Sequence, residues 1–449
     1  MNKELIIIGG GITGLTSAYI AAKRGVKVTV IEASNSFGGL LNTFDIAGTK
    51  LEHYYHHFFT HDAEINWLIK ELDLEHKLIF HNSSMGVFSN GKTYHFNSPL
   101  DLLKFSPISF IDKVKFATTS LYMGKFANWK NYEGISALKW LNKWSGKSTT
   151  ENLWQPLLDI KFGPYAAEIP LSWMIGRMKQ RMNSRKKGDE RLGYIDGSLQ
   201  ILLDALLNKL ERLDVELLNN TAITEVEIRK NKLQEIHSKA GRIFEAENFL
   251  FTIPTNIIAN FLAKPSPKLA SFLNKTKYFG AVCVILQMNK KLSDIYWLNV
   301  AEKGFPFGGV IEHTNLIDTT NYNGKHIAYL SRYFSKEEPI ATMPKEEISA
   351  MMIPHLSKIF RNFNEQQIEQ VFTFKTLSAA TVCDLNFSGK VPTCKTSVEG
   401  LFIANMNHIY PDERSTNNAI RIAAEACKTM GINTDFIPKN ASLSGEIGF

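Results

Sequence analysis

Cysteine is scarce: four residues among 449, Cys283, Cys383, Cys394 and Cys427. They lie far apart without C-x-x-C spacing, which argues against a thiolate metal site or a redox pair and reads as reduced thiols of a cytosolic protein. Long apolar runs are also missing. No stretch approaches about 18 uninterrupted apolar residues, so no membrane-spanning helix is expected. The N-terminal apolar run is too short for a secretory leader. Internal repeats and low-complexity segments are absent. Lys plus Arg (51) exceeds Asp plus Glu (44) by seven. That excess is spread along the chain with no basic stripe interleaved with aromatics, so nucleic acid is not an expected partner. A mild basic balance suits an anionic small-molecule substrate or a loose contact with a membrane surface. Apolar residues make up 44% of the chain, enough to fill the cores of two or more domains.

The first forty-three residues carry the densest pattern. Glu4 to Ile8 is a short apolar run of the kind that forms a buried parallel strand. It enters Gly9-Gly10-Gly11-Ile12-Thr13-Gly14, which fits G-x-G-x-x-G. A helical stretch from Leu15 to Arg24 and a second strand, Val26 to Ile31, follow and end at Glu32. Gly9 allows the tight turn, Gly11 lets the backbone approach a pyrophosphate, and Gly14 lets helix and strand pack closely. Ile12 and Thr13 belong to the helix start, where free N–H groups and the dipole favour negative charge. Glu32 is placed to accept from a ribose diol and to repel a 2′-phosphate, which disfavours NADP.

Glu32-Ala33-Ser34-Asn35-Ser36-Phe37-Gly38-Gly39-Leu40-Leu41-Asn42-Thr43 extends the pattern. Here the chain resembles the FAD-binding amine oxidase superfamily, which includes monoamine oxidases, protoporphyrinogen oxidases, phytoene desaturases and, more distantly, UDP-galactopyranose mutases. Of the family pattern E-A-x-x-R-x-G-G-R-x-x-T it keeps Glu32, Ala33, Gly38, Gly39 and Thr43. Ser36 and Leu40 stand where many members carry arginine, which points towards the desaturase, protoporphyrinogen oxidase and mutase-like branches. The resemblance implies an α/β fold with a Rossmann-like FAD-binding domain of the glutathione-reductase type and an inserted α+β substrate domain. The FAD-binding domain would be discontinuous (1–61, 189–261, 374–435). A helical lobe (62–188), a mixed sheet and helix lobe (262–373) and a C-terminal tail (436–449) complete the chain. Within the second piece, Leu192 to Gln200 leads into a helix, Ile201 to Leu213, then a strand, Val215 to Leu218. Ile223 aligns with a family residue that meets adenine through its backbone. The third piece, Gly400 to Met406, has Asn405 where the family has glycine. Ser415, Thr416 and Asn417 then offer backbone donors at a helix start. Because no cysteine has the context used for covalent flavin attachment, FAD is expected to be non-covalent.

Candidate catalytic residues follow from position. Glu52 to His61 holds four histidines among Tyr and Phe, without a second cluster at ligand spacing, so a metal is not expected. The family places this segment against the flavin, which nominates His56 and His57. Glu312 and Arg332 lie on expected strands of the sheet lobe, with Tyr329 and Tyr333 nearby. Lys161, Tyr165, Arg177 and Arg181 are candidates for clamping an anion, although solvent-facing charges on a helix are the plainer reading. Ser98 to Trp129, apolar but broken by lysines and Pro107, reads as ordinary helices with one buried face; its alternative is a monotopic patch on the inner face of the cell membrane.

The resemblance implies an FAD-dependent oxidoreductase that oxidises or desaturates a small or apolar substrate by hydride transfer to flavin N5. Two alternatives stand beside it. One is a redox-neutral isomerase resembling UDP-galactopyranose mutase, and the other is a non-catalytic FAD-binding partner.

Overall fold

The computed structural model describes residues 4–186, 189–438 and 448–449. Most of the expected C-terminal tail, and residues 187 and 188 at the end of the expected helical lobe, lie outside the described residues. The fold is mixed α/β. Five short strands form a parallel sheet in the spatial order Glu216–Leu218, Lys27–Ile31, Glu4–Ile8, Asn248–Phe251, Leu401–Ile403. Numbered along the chain this order is 3-2-1-4-5. The winding therefore reverses between Glu4–Ile8 and Asn248–Phe251, and a crevice opens at the carboxyl ends of those two strands.

Ile6 to Ile8, Phe249 to Phe251 and Leu401 to Ile403 are continuous buried apolar runs because both faces of the sheet are covered there. Leu5 and Ile7 pack into the core that also buries Leu15, Leu199, Leu203 and Ile420, from the helices Ile12–Ala22, Leu199–Arg212 and Thr416–Thr429. Ile6 and Ile8 face the opposite layer with Val226, Ile236 and Ile258. That layer contains the three-stranded antiparallel sheet Ile223–Arg229, Lys232–Ser238, Ile243–Glu245 and the helix Thr255–Leu262.

A second, seven-stranded sheet stands beside this unit in the order Ile368–Thr381, Tyr278–Met288, His326–Phe334, Gly309–Glu312, Trp297–Val300, Met85–Ser89, Lys92–His95. Its long strand Tyr278–Met288 is buried on both faces by alternation. Val282, Val284, Leu286 and Met288 pack beneath the helix Lys345–Met352, while Cys283 and Ile285 join the core of the parallel-sheet unit. The helical lobe, dominated by Phe110–Leu121, Ala137–Trp144, Gln155–Phe162 and Leu171–Ser184, has its own core around Trp129, Leu141, Trp154 and Ile175.

The packing revises several segment assignments. Met85–Ser89 and Lys92–His95 belong to the seven-stranded sheet, so the segment 62–188 is not all helical lobe. Ile368–Thr381 is one continuous strand across the expected boundary at 373/374, because its partner Tyr278–Met288 runs the same distance beside it. The helical stretch of the mixed lobe is divided into Lys345–Met352 and Leu356–Ile359, with Pro354 between them. Leu192 and Gly193, at the start of the segment that leads into a helix, lie on the strand Asp189–Ile195, paired with Phe58–Phe59 and Leu78–Asn82. Ser198 then caps the helix Leu199–Arg212 by accepting from the Gln200 N–H.

The pieces meet at Glu52, which is fully buried. Its carboxylate accepts from the Tyr194 hydroxyl at 2.6 Å and from the Leu199 N–H at 2.7 Å, while its carbonyl accepts from the Tyr329 hydroxyl at 2.9 Å. Burial pushes its carboxyl up to about 6, against the opposing effect of those hydrogen bonds. Glu52→Ala leaves a buried hydroxyl and a helix-start N–H without their acceptor. A loss on the order of 3 kcal/mol or more is expected from denaturant unfolding; a loss below about 1 kcal/mol would show that the joint contributes little.

Candidate active site

The crevice at the switch point continues into a single cavity of about 870 Å³ that reaches from the glycine loop to the helical lobe. At the loop, local geometry explains each glycine that matters. Gly9 has φ +113°, and a Cβ there would lie 2.5 Å from Thr252 Oγ1, which donates to the carbonyls of Ile8 and Gly9. A Cβ on Gly14 would lie 2.0 Å from the Gly9 carbonyl oxygen, so helix Ile12–Ala22 can sit this close to its strand only as glycine allows. Gly11 is different. Its backbone is ordinary extended (φ −77°) and a Cβ would meet nothing within 4 Å, because the position faces the open cavity. Gly11 is also the N-cap and supplies no side-chain acceptor, so the first N–H groups of the helix point outward uncapped.

Glu32 stands across this loop. Its carboxylate accepts from the Gly10 N–H at 2.7 Å and the Ser34 N–H at 2.8 Å, and it lines the cavity. Gly38 donates to the Gly10 carbonyl at 2.8 Å, which brings Gly38, Gly39 and Leu40 to the same wall. Opposite lie Asn405, Ser415 and Thr416. Asn405 is held by donating to the Ile253 carbonyl at 2.8 Å, and Ser415 caps the helix Thr416–Thr429 at the Asn418 N–H. Helices Ile12–Ala22 and Thr416–Thr429 thus present their N-terminal ends to one space, which suits a pyrophosphate-bearing ligand.

Other nominated residues lie elsewhere. Gly14 packs helix on strand rather than lining the cavity. Ala33 and Ile223 are not among the lining residues; Ile223 packs on the core beneath the three-stranded sheet. Asn417 is turned away, accepting from the Ile65 N–H at 2.9 Å and donating to Glu64 at 2.8 Å, so it fastens helix Ala63–Glu71 to helix Thr416–Thr429. Glu312 is a correction: it does not line the cavity, and its carboxylate accepts the N–H groups of Leu292 and Ser293, both at 2.8 Å. It holds the turn before Trp297–Val300.

His56 and His57 both line the cavity beyond the loop, whereas His53 stacks on Phe374 at 3.9 Å between centroids, outside it. His56 Nδ1 lies 2.6 Å from the Tyr54 carbonyl and His57 Nδ1 lies 3.4 Å from the Tyr296 hydroxyl. Burial holds His56 down to about 4; burial and then the Arg181 charge hold His57 down to about 3. Both imidazoles are therefore neutral at physiological pH.

The cations overturn the plainer sequence reading. Lys161, Arg177 and Arg181 line the cavity with Arg332 and Arg414, rather than facing solvent on a helix. Glu413 pairs with Arg177 and, at 3.2 Å, with Lys161; Arg181 pairs with Glu190 at 3.2 Å and Arg332 with Glu338. Arg414 donates to the Ala379 carbonyl and, at 2.8 Å, to the Tyr333 hydroxyl. Burial pushes the Lys161 ammonium well down, and the Arg177 charge adds to it. For Tyr333 burial opposes ionisation, but the Arg414 and Lys161 charges outweigh it and hold the phenol below its ordinary range. Tyr165 packs on Phe279 instead. Glu413 and Arg414 went unread as site residues; their place in the loop just ahead of the Ser415 cap was the available signal.

Residues 12–396 match the family of flavin containing amine oxidoreductases. The chain belongs to this family. Among curated relatives, coproporphyrinogen III oxidase of Bacillus subtilis is 23% identical over 59% of this chain and 62% of its own length. Human amine oxidase [flavin-containing] B is 23% identical over 57% and 51%. The chain thus spans about half to three fifths of these relatives. Solved structures of the same fold include a protoporphyrinogen-oxidase-like protein from Exiguobacterium sp. 255-15 (TM-score 0.76, 16% identity, 96% of this chain and 99% of that one). Reduced UDP-galactopyranose mutase overlays with TM-score 0.76 at 12% identity, covering 100% and 97%. FAD is the cofactor that membership brings, and the open glycine loop, the uncapped helix start and Glu32 fit it. No cysteine lines the cavity, and all four are buried, which suits non-covalent binding.

Because Gly11 is unstrained and faces open space, Gly11→Val should fold yet purify without flavin absorbance. Gly14→Val should instead fail to fold stably, since its Cβ collides with backbone. A folded Gly11→Val protein carrying full flavin would contradict this assignment. For His57, the unfolded chain takes up a proton near 6.5 and the folded chain only near 3. Its contribution to stability is present above 6.5 and lost as pH falls through the folded value. Wild-type stability should therefore drop relative to His57→Gln on acidification across that window, read by denaturant unfolding; an unchanged difference would mean His57 is solvated.

Proposed function

We propose that this protein is an FAD-dependent oxidoreductase acting on a substrate with an anionic group on an apolar body. One observation carries the reading: the glycine-loop crevice is continuous with a chamber whose cations outnumber the carboxylates paired with them. Four arginines, Arg177, Arg181, Arg332 and Arg414, line it together with Lys161, against Glu413, Glu190 and Glu338 as their acidic partners. A protonated amine entering this chamber meets like charge. A phosphate or carboxylate gains charge-assisted hydrogen bonds from guanidinium groups whose fork geometry matches it. Apolar side chains, among them Leu102, Phe116, Leu153, Trp154 and Met178, line much of the rest.

In this reading Gly9, Gly11, Ile12 and Thr13 hold the dinucleotide pyrophosphate, Glu32 accepts from the ribose, and the start of Thr416–Thr429 faces the rest of the cofactor. Bound FAD supplies an acceptor for a hydride and its two electrons. The chain's own share is to anchor the anion, exclude water with the apolar wall and place uncharged hydrogen-bonding groups, His56 and His57, beside the reacting end. Neither histidine carries a permanent charge at neutral pH.

The same cation cluster favours one second reading, a redox-neutral isomerase of a diphosphate-linked substrate. The two differ in net redox. Anaerobic substrate that bleaches the flavin supports the oxidoreductase; turnover only after dithionite reduction, with substrate electrons conserved, supports the isomerase.

Inorganic pyrophosphate added to the FAD-loaded protein should perturb the visible flavin spectrum saturably. Arg177→Gln and Arg414→Gln should each weaken that binding by about tenfold or more. No perturbation, or equal affinity in both variants, removes the anion from the proposed substrate.

A further inference from the structure

Of the fifteen large apolar side chains that are exposed among the described residues, ten lie between Leu100 and Trp144. On the helix Phe110–Leu121, Phe110 is 69% exposed and Ile111 67%, and Val114 and Leu121 are also exposed. Their spacing places them on one face of the helix, while Phe116 and Thr119 on the other side turn inward. Leu100 and Leu103 on the preceding helix Pro99–Lys104 are exposed as well, and so is Phe126, at 73%, just past the helix end. Large apolar side chains exposed in such number along one segment mark an interaction surface.

Two further observations identify what covers it. The first is charge. Between residues 99 and 147, seven lysines (104, 115, 125, 130, 139, 143 and 147) are exposed and no carboxylate is. Asp101 is held in the cap of its own helix by Ser98, and Lys147 faces Glu151 at 3.8 Å just beyond the segment. Apolar side chains interleaved with lysines match a surface that is apolar within and anionic at its rim, the interface of an anionic bilayer. A second copy of this chain would bring the same lysines against themselves. The second observation is position. Pro99, Leu102, Ala117 and Leu121 line the cavity, and Ala117 and Leu121 are also exposed, so the cavity opens between the two helices that carry the patch.

We propose that this face seats the protein on an anionic lipid bilayer as a monotopic contact, with the mouth of the cavity in the interface. No described helix is long and apolar enough to cross a membrane, and the contact needs none. The docking surface stands on its own geometry. That an amphiphilic substrate enters the cavity from the bilayer rests on the function proposed above.

The test is vesicle flotation of the FAD-loaded protein. Vesicles of phosphatidylcholine with about one third phosphatidylglycerol should carry it upward, and pure phosphatidylcholine should carry at least several-fold less. Phe110→Ser combined with Phe126→Ser should reduce flotation by about tenfold while flavin absorbance stays at the wild-type level, since neither side chain lines the cavity. Should that double variant lose its flavin, Lys125→Glu combined with Lys130→Glu carries the test and should abolish the preference for the anionic vesicles. The proposal is overturned if the wild type does not float, or if it floats equally after the substitutions. It is equally overturned if light scattering finds a dimer that the apolar substitutions dissociate while vesicles bind neither form. Flavin retention and the pyrophosphate response are read on the same samples, so failure of the surface is separable from failure of the proposed chemistry.

Discussion

A buried carboxylate joins segments of this chain that are distant in sequence. Glu52 follows the glycine-rich loops, Tyr194 and Leu199 begin the return to the nucleotide-binding unit, and Tyr329 belongs to the seven-stranded sheet. One side chain and its carbonyl hold all three. A carboxylate suits this position because a helix start presents an N–H with no intrahelical partner, and an ionised acceptor both satisfies it and complements the dipole. Burial opposes ionisation, so the joint depends on every hydrogen bond being made. The strand Asp189–Ile195, between Phe58–Phe59 and Leu78–Asn82, provides the frame that keeps Tyr194 within reach.

From that joint the cavity follows. The parallel sheet opens a crevice at its switch point, and the seven-stranded sheet is held against the same unit through Cys283, Ile285, Ile311 and Tyr329. The helical lobe covers what remains. The cations of the chamber come from three places: Lys161, Arg177 and Arg181 from the helical lobe, Arg332 from the sheet, and Arg414 from the loop before the last helix. Pairing with Glu413, Glu190 and Glu338 lets these charges sit close together. The result is a chamber with one polar wall beside the cofactor crevice and one apolar wall reaching the surface.

That surface links the interior to its surroundings. Helix Phe110–Leu121 presents Phe116 to the cavity and Phe110, Ile111 and Val114 to the outside. Its amphipathic pattern is thus doubled, with apolar residues on both the packed face and the open one. A helix apolar on both faces ordinarily lies inside a protein; here the outer face is left for a partner of another kind.

How much of this was legible in the sequence depended on the range of the interactions involved. The glycine loop, its flanking strand and helix, and Glu32 are local, and contacts within about thirty residues are dictated by turn geometry and periodicity. Family membership, the α/β class and the use of FAD were therefore determined by the sequence itself. The histidine segment could be nominated because it follows that loop directly. Glu312 and Asn417 were misplaced, and Lys161, Arg177 and Arg181 were left with solvent as their plainer surroundings, for one reason. Strand alternation and helical spacing say which residues share a face but not what that face meets. Whether an arginine on a helix meets water or the wall of a cavity, and whether Met85–Ser89 joins a sheet nearly two hundred residues away, was decided only when distant segments packed together. Burial and partner choice are properties of that packing.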